Sequence, residues 1–351
     1  MISQLIRKLV NKTKVYIDPT IRIKYSSFYI RGLYDVFGKE NVKFSGKYFD
    51  SLKRASDPYS YDHYMAFVVI NNKSLKKYVI DFADRRTIKE RAYIWCDRYA
   101  KINFSTYLSD NSFHEKIISI PPGFGINLWE GFELVYNCLL NFIKCKFRPL
   151  VSLKAHILDY YLQFKRPKLE EYHSEVIHER NKPYVFLIGT LWPHENCIEG
   201  TNLYRKTFVE TCESMNIDFE GGFFSNQDHP QYKLFKDLIF SERYSVKSYI
   251  EKTKESLFVF NTPAVHDCHG WKLGEYLAMG KAIISTPLSN NLPGALTHGE
   301  NIHFVSNLNN LQEDISMLLS NPSYRKKLET GAKNYYLNYV VPKEVIKSIT
   351  A

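Results

Sequence analysis

No run of apolar residues in this chain is long enough to cross a bilayer. The apolar stretches, such as MAFVVI at 65–70 and that within ESLFVFN at 255–261, have the length of strands, whereas a helical span needs about 20 residues. A secretory leader is not expected either, because charged residues interrupt the first apolar positions and no small-residue cleavage site follows. The six cysteines, at 96, 138, 145, 197, 212 and 268, include no Cys-x-x-Cys pair. That spacing argues against a disulfide framework or a paired zinc site and favours free thiols in a reducing cytoplasm. Short-period repeats and low-complexity tracts are missing too, as is any nucleic-acid-binding motif.

What is present fits a soluble globular protein of more than one core. The chain has 351 residues, 44% of them apolar and 24% charged, so two domains are expected. Forty-seven basic residues against 37 acidic give a net charge of +10, which favours anionic partners. The positive residues are spread along the chain, which speaks against a nucleic-acid groove. The first segment, MISQLIRKLVNKTK, places Ile2, Leu5, Ile6, Leu9 and Val10 on one helical face beside Arg7, Lys8, Lys12 and Lys14. This is the pattern of a basic helix lying on an anionic membrane, or of a terminal helix packed on its own domain.

Beyond it, strand-like and helical stretches alternate. KVYID, NVKFS, MAFVVI, KYVIDF and KIISI read as strands, with a helix over SSFYIRGLYDVFG ending at Gly38. Residues 128–178 read as helical, with basic and aromatic residues interleaved and Pro149 and Pro167 as breaks. A second alternating unit begins at KPYVFLIGTLW, whose strand ends in Gly189-Thr190. The expected fold is α/β, two Rossmann-like domains with parallel sheets facing an inter-domain cleft. The expected division is an N-terminal domain over 1–127, a helical linker over 128–180, a C-terminal domain over 181–335 and a tail helix over 336–351.

The most informative stretch is HDCHGWKLGEYLAMGKAII, residues 266–284. A strand, SLFVFN, precedes it; a polar loop follows, then a helix beginning near Trp271 and stopping at Gly280 before another apolar strand. Ligands of such units bind beyond the carboxyl ends of the strands, and a helix N-terminus there suits a phosphate. Gly270 opens that helix, Lys272 adds a point charge, and Glu275 lies one turn in, where a carboxylate can accept from a pair of ribose hydroxyls. His266 is read as a sugar or phosphate contact. His266 and His269 flank Cys268 without a matched second cluster, so no metal is expected.

This stretch, with GENIHFV and the closing helices, resembles the nucleotide-sugar-binding half of GT-B glycosyltransferases, nearest to the large bacterial family four and its relatives. The resemblance rests on two acids with seven residues between them, Asp267 and Glu275, the second followed by a small-residue turn, glycine and an apolar strand. It implies that Glu275 binds the nucleotide ribose and that Asp267 faces the donor sugar as a catalytic group, with Gly270, Lys272 and Leu273 in the donor loop. Asp267 stands where the family usually has glutamate. CDRYAKINFS and KIISIPPGFGI are similar to the last unit of the N-terminal GT-B domain. Where the family carries Gly-Arg and Lys-Gly after the first strand of the second domain, this chain has GTLWPHENCIEGTNLYRKTF, with Arg205 and Lys206 as substitute cations near Gly189 and Thr190.

The implied activity is hexosyl transfer from a UDP- or GDP-sugar to a glycan acceptor, read as lipid-linked and as a step in cell-surface polysaccharide synthesis. Metal independence and retention of configuration are implied with it. No cofactor is expected, since the nucleotide-sugar enters as a co-substrate. The expected location is the cytoplasm, or the inner face of the membrane on the amphipathic reading of the N-terminus. Asp81 and Asp84 in YVIDFADRR sit at or past a strand end, as acceptor ligands or a base, with Asp84 alternatively a cap or turn residue. Arg205 has a solvated helix face as its alternative. A sugar-nucleotide epimerase or hydrolase and a non-catalytic carbohydrate- or nucleotide-binding protein are the competing functions.

Overall fold

A computed structural model describes residues 13–52, 54, 63–72, 74–108, 115–145, 152–173, 180–240, 243–305 and 307–351. The basic segment at the N-terminus therefore lies almost wholly outside the described residues. Contacts group the chain into two units: one runs through Leu169 and regains Val340–Ala351, and the other runs from Glu170 to Tyr339.

The first unit is built on a six-stranded sheet in the order β2-β1-β3-β4-β5-β6. Its strands are β1 (Lys14–Ile17), β2 (Val42–Phe44), β3 (Tyr64–Asn71), β4 (Ser74–Asp81), β5 (Arg98–Lys101) and β6 (Ile117–Ser119). Val15, Ile17, Phe67, Val68, Val79 and Ile80 are fully buried, which explains why these runs are nearly continuous in apolar residues. The sheet is not parallel throughout. β3 runs antiparallel to both β1 and β4, because a tight hairpin with Asn72 in left-handed conformation (φ 52°) joins β3 directly to β4. The remaining pairs are parallel.

Helix α1 (Ile23–Phe37) buries Phe28, Tyr29, Ile30 and Leu33 and stops at Gly38, whose φ of 83° suits glycine. A short helix α2 (Glu90–Trp95) packs its Ala92 and Trp95 with Phe49 and Tyr99. Helices α3 (Gly131–Lys144) and α4 (Leu153–Phe164), in the stretch read as a linker, belong to this unit. So does the last helix of the chain, Pro342–Thr350, which lies against α1 so closely that a Cβ on Gly32 would stand 2.3 Å from the Pro342 carbonyl oxygen.

The second unit begins within the short helix α5 (Leu169–His173). Strands β7 (Tyr184–Thr190) and β8 (Asp218–Phe224) pair in parallel, as do β9 (Val259–Asn261), β10 (Ile283–Ser285) and β11 (His303–Phe304) in the order β11-β10-β9. The Leu257 N–H donates to the Tyr184 carbonyl at 2.8 Å and ties the approach to β9 onto β7. Helices α6 (Asn202–Ser214), α7 (Val246–Glu255), α8 (Trp271–Met279), α9 (Leu311–Ser320) and α10 (Pro322–Tyr335) complete the unit, leaving Pro342–Thr350 as α11. Its core gathers Val185, Leu187, Phe208, Phe258, Phe260, Ile284 and Leu328. The expected α/β class, with two units of Rossmann-like alternation, is what the chain adopts.

All six cysteines are free, and burial pushes the thiols of Cys96, Cys145 and Cys212 up to about 12, which makes them poor nucleophiles. Among the described residues no helix is long and apolar enough to cross a membrane.

Candidate active site in the second unit

Strand β7 ends in Ile188-Gly189-Thr190, and around that end lies a cavity of about 350 Å³. Gly189, Thr190, Arg205, Thr262, Gly270 and Lys272 are among the residues lining it, with Trp192, Phe224, Phe240 and Tyr249 as aromatic walls. Five of the candidate residues, separated by up to 83 positions in sequence, thus line one cavity: Gly189, Thr190, Arg205, Gly270 and Lys272.

Arg205 comes from α6 and is only 8% exposed. Its Nε donates to Thr262 Oγ1 at 2.9 Å, just past the end of β9. The missing side chain of Gly189 makes room for it, since a Cβ there would lie 3.3 Å from Arg205 Nη1. Lys272, in the first turn of α8, is half-buried and donates from Nζ to the Ile188 carbonyl oxygen. Its ammonium pKa is drawn down to about 7, first by burial, then by the Arg205 charge, with Glu275 opposing. Burial also lowers the pKa of Arg205. Among the described residues neither cation has a carboxylate ion-pair partner. Two cations of one sign, one buried and one half-buried, facing a shared space destabilise each other and the fold unless an anion enters.

The entrance to α8 adds to that field. Gly270 is its N-cap with extended backbone and no side-chain cap. The first turn of the helix thus opens on a residue with no side chain, and Gly270, Trp271 and Lys272 themselves line the cavity. Gly280 ends α8 in left-handed conformation (φ 63°) before β10, as the sequence pattern predicts.

Between β9 and α8, His266 (φ 58°) and Asp267 (φ 56°) are two successive non-glycine residues in the left-handed region, a conformation costing about 1–3 kcal/mol each. Asn196 holds this kink: its Nδ2 donates to the Ala264 carbonyl and to Asp267 Oδ1, each at 3.0 Å, while its Oδ1 accepts the His266 N–H at 3.3 Å. Asn290 Nδ2 donates to the Asp267 carbonyl at 2.8 Å, and the His266 ring meets the His194 ring edge-on at 4.1 Å. Sequence reasoning passed over Asn196, His194 and Asn290. The first two lie in the PHEN segment, where the family's own cations are missing, and that departure is the one signal that points to them.

The remaining expected residues are placed differently. Leu273 is 1% exposed and packs beneath the loop without lining the cavity. Glu275 is 3% exposed and accepts from the hydroxyls of Tyr249 at 3.0 Å and Tyr172 at 3.4 Å. Lys206, the second substitute cation, pairs with Glu210 along α6 and does not line the cavity. In the first unit, Asp81 is fully buried at the end of β4, accepting from Lys101 Nζ at 2.9 Å, Tyr99 Oη at 2.5 Å and the Ala83 N–H at 2.8 Å. Asp84 is exposed three residues beyond. Among the described residues no group of three or more His, Cys, Asp and Glu is arranged to hold a metal ion.

No protein-family model matches the chain, and no curated protein sequence matches it. Solved structures do. The C-terminal domain of the glycosyl transferase group 1 family protein LpcC from Francisella tularensis is 16% identical over 44% of this chain and 84% of its own, with a TM-score of 0.33. A glycosyltransferase from Rickettsia africae ESF-5 is 14% identical over 72% of this chain and 61% of its own, with a TM-score of 0.39. HepE from Anabaena, solved with UDP-glucose, is 13% identical over 74% and 65%, with a TM-score of 0.39. The chain spans less than two thirds of the Rickettsia and Anabaena proteins. All three are similar to this chain in fold, at low identity.

Proposed function

We propose that the second unit holds the diphosphate of a nucleotide-sugar and that the protein is a glycosyltransferase. The observation that carries this reading is the pairing of Arg205, which is buried, and Lys272, which is half-buried, two cations without a carboxylate partner among the described residues, at the end of β7 beside the glycine N-cap of α8. A diphosphate supplies the missing negative charge, and its oxygens are good acceptors for a guanidinium, an ammonium and helix N–H groups. When the glycosidic bond to the diphosphate breaks, the electron pair leaves with the phosphate oxygen. The same cations stabilise that developing charge without a divalent metal. The aromatic walls of the cavity give a nucleoside base or a sugar ring a surface to stack on.

Asp267 is held by Asn196 and Asn290 on the strained loop beside this cavity, which supports its role toward the donor sugar. Glu275, gripped by two tyrosines, reaches ribose hydroxyls by exchanging a phenol for a sugar hydroxyl. The acceptor is a glycan, lipid-linked in cell-surface polysaccharide synthesis, and transfer retains configuration; these parts rest on the sequence resemblance and the basic N-terminal segment.

The test is release of nucleoside diphosphate from a panel of UDP- and GDP-sugars in EDTA, with and without a membrane extract as acceptor. The expected result is acceptor-dependent release that Lys272→Met and Arg205→Met abolish. Binding of diphosphates with no release from any donor would make the protein a non-catalytic nucleotide-sugar binder.

A further inference from the structure

Helices α3 and α4 are built inside out. On α3, Phe132 (83% exposed), Val135, Tyr136, Leu139 (59%) and Ile143 follow helical spacing along the solvent face. The one fully buried residue of that helix is polar, Asn141. On α4, Leu153, Ile157 (52%), Leu158, Tyr161 and Phe164 are exposed, while His156, Asp159, Tyr160 and Gln163 are buried. The inner seam is a polar network. Asn141 Nδ2 donates to Tyr160 Oη at 2.7 Å, and His156 Nε2 lies 3.2 Å from the Cys138 carbonyl oxygen. Gln163 Nε2 donates to the Ile126 carbonyl at 3.2 Å, and Asp159 accepts the Lys24 N–H at 3.3 Å near Arg22. A helix of a water-soluble domain does the reverse, burying its apolar stripe. Apolar surface of this extent turned outward marks a face that something covers.

Charge identifies what covers it. Glu130, the N-cap of α3, pairs with Lys168 at 3.1 Å. The helices themselves carry two lysines, Lys144 and Lys154, with Lys165 as the C-cap of α4, and two acids, Glu133 and Asp159. Neither acid offers a free negative charge: Glu133 pairs with Lys39 at 2.5 Å, and Asp159 is buried. None of the three lysines is in an ion pair among the described residues. Lys165 Nζ stands 5.2 Å from the Tyr161 ring centre and 5.8 Å from that of Phe164, an ammonium resting on an aromatic stem. A second copy of the chain would bring these same cations against themselves, on a molecule already carrying +10. A helix of 14 residues is about 21 Å long, too short to span a bilayer. An apolar face with lysines at its border and its acids paired or buried suits the interface of an anionic bilayer.

We infer that α3 and α4 form a docking surface that seats the first unit on anionic lipid, with the apolar faces in the headgroup boundary and Lys144, Lys154 and Lys165 on the lipid phosphates. This inference stands apart from the nucleotide site, so either can fail without the other.

The experiment is co-sedimentation of the full chain with vesicles of phosphatidylcholine, with or without phosphatidylglycerol. The wild type pellets with the anionic vesicles. The variant Leu139→Glu/Ile157→Glu, altered at exposed positions and checked for an unchanged Tm, stays in the supernatant. Lys154→Gln/Lys165→Gln binds anionic vesicles about 30-fold more weakly, with little change on phosphatidylcholine alone. Should the glutamate pair disturb folding, Leu139→Ser/Ile157→Ser gives the same reading. The inference is overturned if the wild type does not pellet, or if the substituted chains pellet as it does. It is equally overturned if the wild type is a dimer that these substitutions dissociate while vesicle binding is unchanged, because a second copy then covers the face.

Discussion

The ammonium of Lys272 titrates at about 7 in the free protein, so binding of a diphosphate beside it depends on pH in a definite way. The groups around it are Arg205 from α6, Glu275 on its own helix, and Tyr249 and Tyr276; burial first, with Glu275 assisting, pushes both phenols up, so they stay neutral from pH 6 to about 9. An anion against Nζ restores the ordinary lysine range of about 10.4, and affinity then falls as the free protein loses its proton. Between pH 7 and 9 this weakens binding by about 50-fold, on the order of 2 kcal/mol. Below pH 6 the terminal phosphate takes up its own proton, with a pKa of about 6, so affinity peaks between about 6 and 7. Calorimetric titration of a nucleoside diphosphate in EDTA, at fixed ionic strength and in two buffers of different ionisation enthalpy, measures both the slope and the proton taken up. Uptake rises from about half a proton at pH 7 toward one at pH 8. Lys272→Arg, charged throughout, flattens the profile. In the free protein the unfolded chain binds the extra proton between pH 7 and about 10, so stability rises over that window and the cost of burying the charge is fully present below pH 7. Lys272→Met removes that cost and stabilises the free protein at pH 7 by an amount on the order of 3 kcal/mol, while it abolishes binding. An affinity that is flat from pH 7 to 9 in the wild type, or a slope that Lys272→Arg keeps, would refute the reasoning.

Three further outcomes follow from the geometry. Asp81→Asn leaves Lys101 buried without its counter-charge and lowers stability by about 3–5 kcal/mol, read by chemical denaturation, while diphosphate affinity stays unchanged; a loss of activity in a folded Asp81→Asn protein would instead place this acid in the reaction. Glu275→Ala removes the carboxylate that accepts from the hydroxyls of Tyr172 and Tyr249 and costs about 1–3 kcal/mol before any ligand is added. The variant that isolates ribose binding is therefore Glu275→Gln, which keeps an acceptor and weakens a nucleoside diphosphate about tenfold more than inorganic pyrophosphate. Gly32→Ala puts a methyl where the Pro342 carbonyl lies, and it loosens α11 from α1 by about 1–3 kcal/mol, seen as faster proteolytic release of the C-terminal helix.

The strand end, loop and helix start that line the cavity were legible because their signals are local. A strand ending in Gly189-Thr190, and a strand, polar loop, helix and glycine stop from β9 to β10, are short-range patterns that backbone chemistry enforces. What escaped is set by partners distant in sequence. Glu275 reads as an exposed ribose ligand until Tyr172, 103 residues away, is seen to donate to it. Asp81 reads as a candidate base at a strand end, but β5 brings Lys101 and Tyr99 onto it. The reversed direction of β3 follows from the hairpin at Asn72, which a reading that alternates strands with helices passes over. On α3 and α4 the helical spacing of apolar residues was visible, but periodicity shows only that a face exists. It takes the buried Asn141, Tyr160 and Gln163 to show that the apolar face points outward.

The central claim is that the cavity at the end of β7 binds a nucleoside diphosphate through Arg205 and Lys272. The most direct measurement is thermal unfolding of the wild type and of Arg205→Met/Lys272→Met with UDP, GDP, CDP and ADP in EDTA. At a hundred times its dissociation constant, a ligand adds about 2.7 kcal/mol to stability, a rise in Tm of about 5–10 °C. The account predicts that rise for at least one nucleotide in the wild type and for none in the double variant. The absence of any rise in the wild type, or an equal rise in both proteins, would contradict it.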